Sequence, residues 1–193
     1  CTTNLAIIYN KTGQVEEAEE YLKMSFKLFE NFEIGLTYAK VAGIENAYLN
    51  NNIIEAKRMA EEILPTLDGK QNFEHRISIY MILSGIYDQM GNTERAKEFI
   101  NLALAENPTI INQIDIYTDL SKIYAKEKAY DKAMAYKDSI MYAKDSLNKV
   151  TNLLHFENNK IRFEMLNYQK DLEHNKALRS NERIILISLL ALA

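Results

Sequence analysis

Two landmarks return along this chain at nearly the same interval, and they constrain its fold more than any other feature. Tyr9, Tyr48, Tyr87 and Tyr124 lie 39, 39 and 37 residues apart, while Ala18, Ala56, Ala96 and Ala133 lie 38, 40 and 37 apart. A beat of this length marks a supersecondary unit repeated and stacked on itself. The third copy is the fullest: Tyr80, then Leu83-Ser84-Gly85-Ile86-Tyr87, Gly91-Asn92, Arg95-Ala96, Ala103-Leu104 and Pro108. The first runs from Leu5 through Tyr9 and Gly13 to Ala18 and Tyr21-Leu22. The fourth runs from Tyr117 through Leu120 and Tyr124 to Lys132-Ala133. The second is weaker, with a turn at Asn50-Asn51-Asn52, then Glu55-Ala56 and Pro65.

Each unit reads as a helical hairpin. Leu83, Ile86 and Tyr87 fall at helical spacing and form an apolar stripe on a first helix. Gly91 stands where the chain reverses, because glycine accepts the left-handed conformation that ends a helix. Asn51 suits the same place less well, and Lys128 at the equivalent point is a poor substitute. Ala96 is small enough to let two helices approach closely, and Pro108 and Pro65 stop the second helices. With only 6 glycines and 2 prolines, the chain favours helices with short connections over sheets with tight turns. A single hairpin cannot cover both its faces, so the copies stack.

This pattern resembles the tetratricopeptide repeat (TPR) family over residues 1–142, in four repeats at about 1–30, 31–68, 73–108 and 109–142. A HEAT-like array of similar period is the competing reading. The Tyr–x3–Gly–x4–Ala spacing of the first and third copies, closed by Pro108 in the third, ranks TPR ahead. The period exceeds the ~34 residues usual for the family, which predicts longer helices or linkers. The resemblance implies an all-α, right-handed solenoid of helical hairpins followed by a long C-terminal helix. It also implies a concave groove lined by first helices that takes a protein or peptide partner. Family groove positions fall on Ile7, Asn10 and Lys11; on Glu45, Tyr48 and Leu49; on Met81, Gly85, Asp88 and Gln89; and on Thr118, Lys122 and Lys126. Register in the second copy is open by one residue. Lys122 and Lys126, one turn apart, are the pair best placed to meet an acidic group. The basic and amide set with which some TPR domains clamp a C-terminal carboxylate is not matched.

Beyond Pro108 the chain holds neither proline nor glycine, and from about Asp131 it can run as helix without interruption. Residues 143–183 read as a capping and connector helix, with capping extending to about His155. Leu147, Leu154, Ile161 and Tyr168 recur every seven residues, with Met165 and Leu172 on the adjoining seam, which suits a coiled coil and a homodimer. Thr151 and Asn158 interrupt the seam. Residues 184–193 form a ten-residue run without charge, preceded by Arg179 and Arg183. That is short of the ~20 residues a span takes, so the run is expected to be the start of a transmembrane helix. The alternative is an amphipathic end folded back on the solenoid. TPR repeats, a charged connector and an apolar run together resemble bacterial membrane-anchored sensory and transcriptional regulators. That likeness implies a membrane-anchored chain with its repeats on the extracytoplasmic, periplasmic side, a cytoplasmic placement being the alternative. A freestanding soluble scaffold that assembles a complex is the second reading of function.

No set of residues points to catalysis, a cofactor or a metal. His75, His155 and His174 are far apart, and Gly85 and Gly91 belong to the repeat rather than to a phosphate loop. The paired glutamates at 16–17, 19–20 and 61–62 fit a solvated helix face. A single cysteine, Cys1, excludes an internal disulfide framework. The formal charge of −4 offers no general attraction to nucleic acid, and no direct nucleic-acid binding is expected of this region.

Overall fold

A computed structural model describes the backbone of residues 2–191 and the side chains of residues 2–176. Among these residues the chain forms eight α-helices: α1 (Thr2–Lys11), α2 (Val15–Leu28), α3 (Glu33–Leu49), α4 (Ile53–Ile63), α5 (Phe73–Gln89), α6 (Thr93–Ala105), α7 (Ile110–Lys126) and α8 (Tyr130–Ala191). Two 3-10 turns, Leu64–Thr66 and Lys70–Asn72, join α4 to α5. The chain divides into two units, Cys1–Lys144 and Asp145–Ala193.

The first unit is a helical repeat solenoid. The helices α1, α3, α5 and α7 pack side by side, and α2, α4 and α6 each pack against their own first helix or the next one. The long period has two sources. α3, α5 and α7 each run 17 residues, and the two 3-10 turns lengthen the second linker.

Four hairpin turns share one device. Gly13, Asn51, Gly91 and Lys128 all take positive φ, at +77°, +59°, +76° and +60°. In each case the next residue's N–H reaches back five residues to a carbonyl: Gln14 to Tyr9, Asn52 to Ala47, Asn92 to Tyr87 and Ala129 to Tyr124, all at 2.8–2.9 Å. These bonds satisfy carbonyls that a helix end would otherwise leave bare. They also fix the register of the repeat. The residue four before the turn is Tyr9, Ala47, Tyr87 and Tyr124, so in the second hairpin the beat falls on Ala47 and Tyr48 stands one residue on. Intervals of 38, 40 and 37 then hold for this position as they do for the alanines.

The reason for the aromatic residue lies twelve positions on. Tyr9 stacks on Tyr21, Tyr87 on Phe99 and Tyr124 on Tyr136, with ring centroids 5.3, 5.5 and 5.6 Å apart and planes within 15°. The second hairpin fills the same place with Ala47 and Met59, both packed on the core there. Just below each turn, Ala18, Ala56, Ala96 and Ala133 are buried where the two helices of the hairpin close on one another.

The cores are shared between hairpins. One joins Ala6, Leu22 and Ala42 from α1, α2 and α3. A second joins Ile44, Ala60, Leu83 and Phe99 from α3 to α6, and a third joins Ile77, Ile100, Ile116 and Leu120 from α5 to α7. Tyr136, in the first turns of α8, packs against that third core, and Ser121 donates a 3.0 Å hydrogen bond to the Ala133 carbonyl. A bidentate ion pair of Arg76 with Glu106 (2.6 Å) ties α5 to the end of α6, and Arg76 also donates to the Leu67 and Gly69 carbonyls in the long linker.

The second unit contributes helix. Among the described residues Ala143 is the last that is buried, and from Asn148 to Lys176 every residue is exposed. The expectation of a membrane-anchored, extracytoplasmic protein is corrected here: among the described residues no helix is long and apolar enough to cross a membrane. The exposed stretch carries Lys149, Glu157, Lys160, Arg162, Glu164, Lys170 and Asp171 along its length, and a bilayer does not accept such charges without a partner. The run at 184–193 that prompted the expectation lies outside the residues whose side chains are described.

Candidate functional site

Side-by-side first helices leave a cleft of about 450 Å³, walled by α1, α3, α5 and α7. Its floor is apolar, with Val41, Ala42, Ile77 and Ile82 buried at the base. Its walls are charged and mostly acidic: Glu45, Glu74 and Asp115 against Lys11. Burial pushes the Glu45 carboxyl up from its ordinary range, with Asn10 and the Lys11 charge working against that. Asp115 reaches the surface, yet partial burial, and next the Asp119 charge, raise its pKa as well. Burial lowers the His75 pKa, so this imidazole tends to stay neutral; its ring meets Tyr38 edge-on at 4.2 Å. A semi-apolar cleft with carboxylates that resist losing their protons favours a ligand that brings its own positive charge.

Of the groove residues expected from the sequence, Ile7, Lys11, Glu45 and Met81 line this cleft. The others serve elsewhere. Asn10 is buried and holds α1 to α3, its amide donating to the Ala42 carbonyl (3.1 Å) and its oxygen accepting from Asn46 (2.9 Å). Tyr48 accepts a 3.2 Å bond from Gln89, and its hydroxyl occupies the space that a Cβ at Gly85 would need. The Tyr48 hydroxyl is raised in pKa by burial and then by the Asp119 charge. Lys126 pairs with Asp88, and Lys122 with Asp119 at 3.0 Å. Both lysines expected to meet an acidic group on a partner therefore already face a carboxylate of their own chain. Tyr48–Gln89 and Asp88–Lys126 are the same contact one repeat apart, joining the residue three before one turn to the residue two before the next. Thr118 bonds the Ile114 carbonyl (2.7 Å), and Leu49 is exposed.

Tyr38, Ser78 and Asp115 line the cleft but lay outside the sequence expectation. Each sits seven residues before an expected groove residue: Glu45, Gly85 and Lys122. The signal was in the helix period, since a 17-residue helix carries the same face two turns further back than a shorter one. Connector residues Leu154, Ile161, Met165, Tyr168 and Leu172 are exposed along one side of α8, and Leu147 is half-buried. Among the described residues no group of three or more His, Cys, Asp or Glu side chains could hold a metal ion.

Family comparison meets this geometry at the repeats. Residues 1–31 and residues 77–110 each match a model described as a tetratricopeptide repeat. They support a TPR protein. The two matched stretches belong to the hairpins whose turns carry glycine, Gly13 and Gly91; the hairpins turning at Asn51 and Lys128 keep the same turn conformation without the glycine. Neither the curated proteins nor the solved structures gave a match. TPR repeats point to protein–protein interaction, and the family matches extend no further than that.

Proposed function

We propose that this TPR chain is a scaffold that assembles a protein complex by holding a partner's segment in the cleft between α1, α3, α5 and α7. The segment pairs apolar side chains with a lysine or arginine. One observation carries this reading: an apolar floor beneath three carboxylates and one lysine. A cation seated between Glu45 and Asp115 relieves the cost of ionising both in a partly dry cleft, and apolar neighbours cover Val41 and Ile82.

The test is a library of short random peptides, sorted on the full chain and scored by residue enrichment. Lysine or arginine beside apolar residues is expected, with Glu45→Gln and Asp115→Asn each weakening the selected peptides by several-fold. Binding should also weaken as pH falls and both carboxylates take up protons. Enrichment of acidic peptides, or selected peptides indifferent to both substitutions, overturns the reading.

A further inference from the structure

We infer that residues 147–176 of α8 form a parallel, in-register, two-stranded coiled coil with a second copy of this chain. This stands apart from the cleft and holds whatever the cleft binds. The starting point is an exposed helix with apolar side chains that its own unit leaves uncovered: Leu154 and Ile161 are each 54% exposed and Met165 59%. Isolated helices in water gain little from propensity alone, and an apolar stripe on one of them calls for a partner.

Alternating steps of four and three residues from Leu147 define the heptad. Leu147, Leu154, Ile161 and Tyr168 take position d; Thr151, Asn158, Met165 and Leu172 take position a. Six of these eight are apolar, as a buried seam requires. Charge then selects the occupant and its direction. Position g carries Val150, Glu157, Glu164 and Asp171, and position e carries Asn148, His155, Arg162, Gln169 and Lys176. In a parallel pair each g faces the e of the next heptad on the other helix, giving Glu157 with Arg162, Glu164 with Gln169 and Asp171 with Lys176. An antiparallel pair sets g against g and e against e, and so places the carboxylates of Glu157, Glu164 and Asp171 against one another and leaves Arg162 and Lys176 without them. The acidic g row and the Arg162 and Lys176 cations at e thus favour a second copy in the parallel direction.

Asn158 supplies the register. At a buried a position it costs stability unless its amide finds an equivalent amide, and in an aligned parallel pair the opposite residue is its own copy. A slip of one heptad sets Asn158 against Thr151 or Met165 instead. Leu153, Phe156, Phe163 and Leu166 fall at b, c and f, on the outer side of this pair, where they remain exposed.

Sedimentation equilibrium of the full chain is expected to give twice the 22.3 kDa of one copy. Leu154→Lys with Ile161→Lys should return it to one copy while circular dichroism stays helical, and Phe156→Lys with Phe163→Lys should leave the pair intact. Glu157→Lys should weaken pairing several-fold, and adding Arg162→Glu should restore it. With Cys1→Ser in the background, Leu147→Cys and Leu172→Cys chains should each oxidise to same-site disulfides, with no mixed product when the two are combined. A single-copy mass for the unsubstituted chain overturns the inference. So does a mixed 147–172 disulfide, which is the antiparallel product, or a pair broken only by the outer-face substitutions.

Discussion

At the scale of single residues, the turn positions show what the backbone asks and what the side chain supplies. Gly13 and Gly91 meet a positive φ without cost, whereas Lys128 adopts φ +60° with a Cβ in place. A non-glycine residue in that conformation loses ~1 kcal/mol or more, partly offset because glycine gives the unfolded chain more freedom. Lys128→Gly is therefore expected to stabilise the first unit by about 0.5–1 kcal/mol, raising its thermal midpoint by a few degrees. Asn51→Gly should do less, asparagine being the more tolerant residue there. Differential scanning calorimetry of the two variants reads the difference directly. His75 gives a second expectation, with a sign fixed by its surroundings. Burial holds its folded pKa below the ordinary 6.5, the nearby Glu74 charge only partly opposing. The unfolded chain therefore takes up a proton at a pH where the folded chain does not. Stability from this group is complete above pH ~6.5 and is lost as pH falls through that value toward the folded one. Thermal midpoints measured from pH 8 to pH 5 should fall less for His75→Gln than for the unsubstituted chain across this window.

At the scale of the element, the turn and the hairpin alanine were legible because each is dictated by backbone geometry that only a few residue types satisfy. Left-handed φ at Gly13 and Gly91 and close helix approach at Ala18 and Ala96 leave little choice, so they stand out from the sequence unaided. The aromatic beat was less reliable because its cause is packing, which tolerates substitutes of similar fit. Ala47 with Met59 fills the space that Tyr87 with Phe99 fills, and the eye then settles on Tyr48, one residue away. Tyr48 instead reaches across to Gln89 and the bare Cα of Gly85, a contact between helices 41 and 37 residues apart in sequence. Among the expected groove residues, Glu45, Gly85 and Lys122 all stand six before their turns and so share one register of the repeat. Which of them stay available was not legible, because it depends on partners in other repeats: Asp88 takes Lys126, and Asn46 takes Asn10.

At the scale of the first unit as a whole, stability is distributed by how the cores overlap. α5 contributes Ile79, Leu83 and Ile86 to one core and Ile77 to the next, and Tyr80 and Tyr87 pack against both. The core of α1, α2 and the middle of α3 is smaller, and among the described residues it adjoins one other hairpin rather than two. In a solenoid each hairpin is held by its neighbours, so a defect in the middle removes support in two directions and a defect at the end in one. Leu83, with no exposed surface, and Leu22, with 4%, are the same residue type in these two settings. Truncating either to alanine creates a cavity worth about 2–5 kcal/mol. Their reach should differ. Leu83→Ala is expected to lower amide protection together across α3, α4, α5, α6 and α7, since both central cores meet on α5. Leu22→Ala should lower it in α1, α2 and α3 as far as the turns around Ala42 and leave α5 to α7 protected. Hydrogen exchange read peptide by peptide separates the two patterns. Equal loss throughout from both variants would mean that the unit unfolds as a single block, and the shared cores would then count for more than their order along the chain.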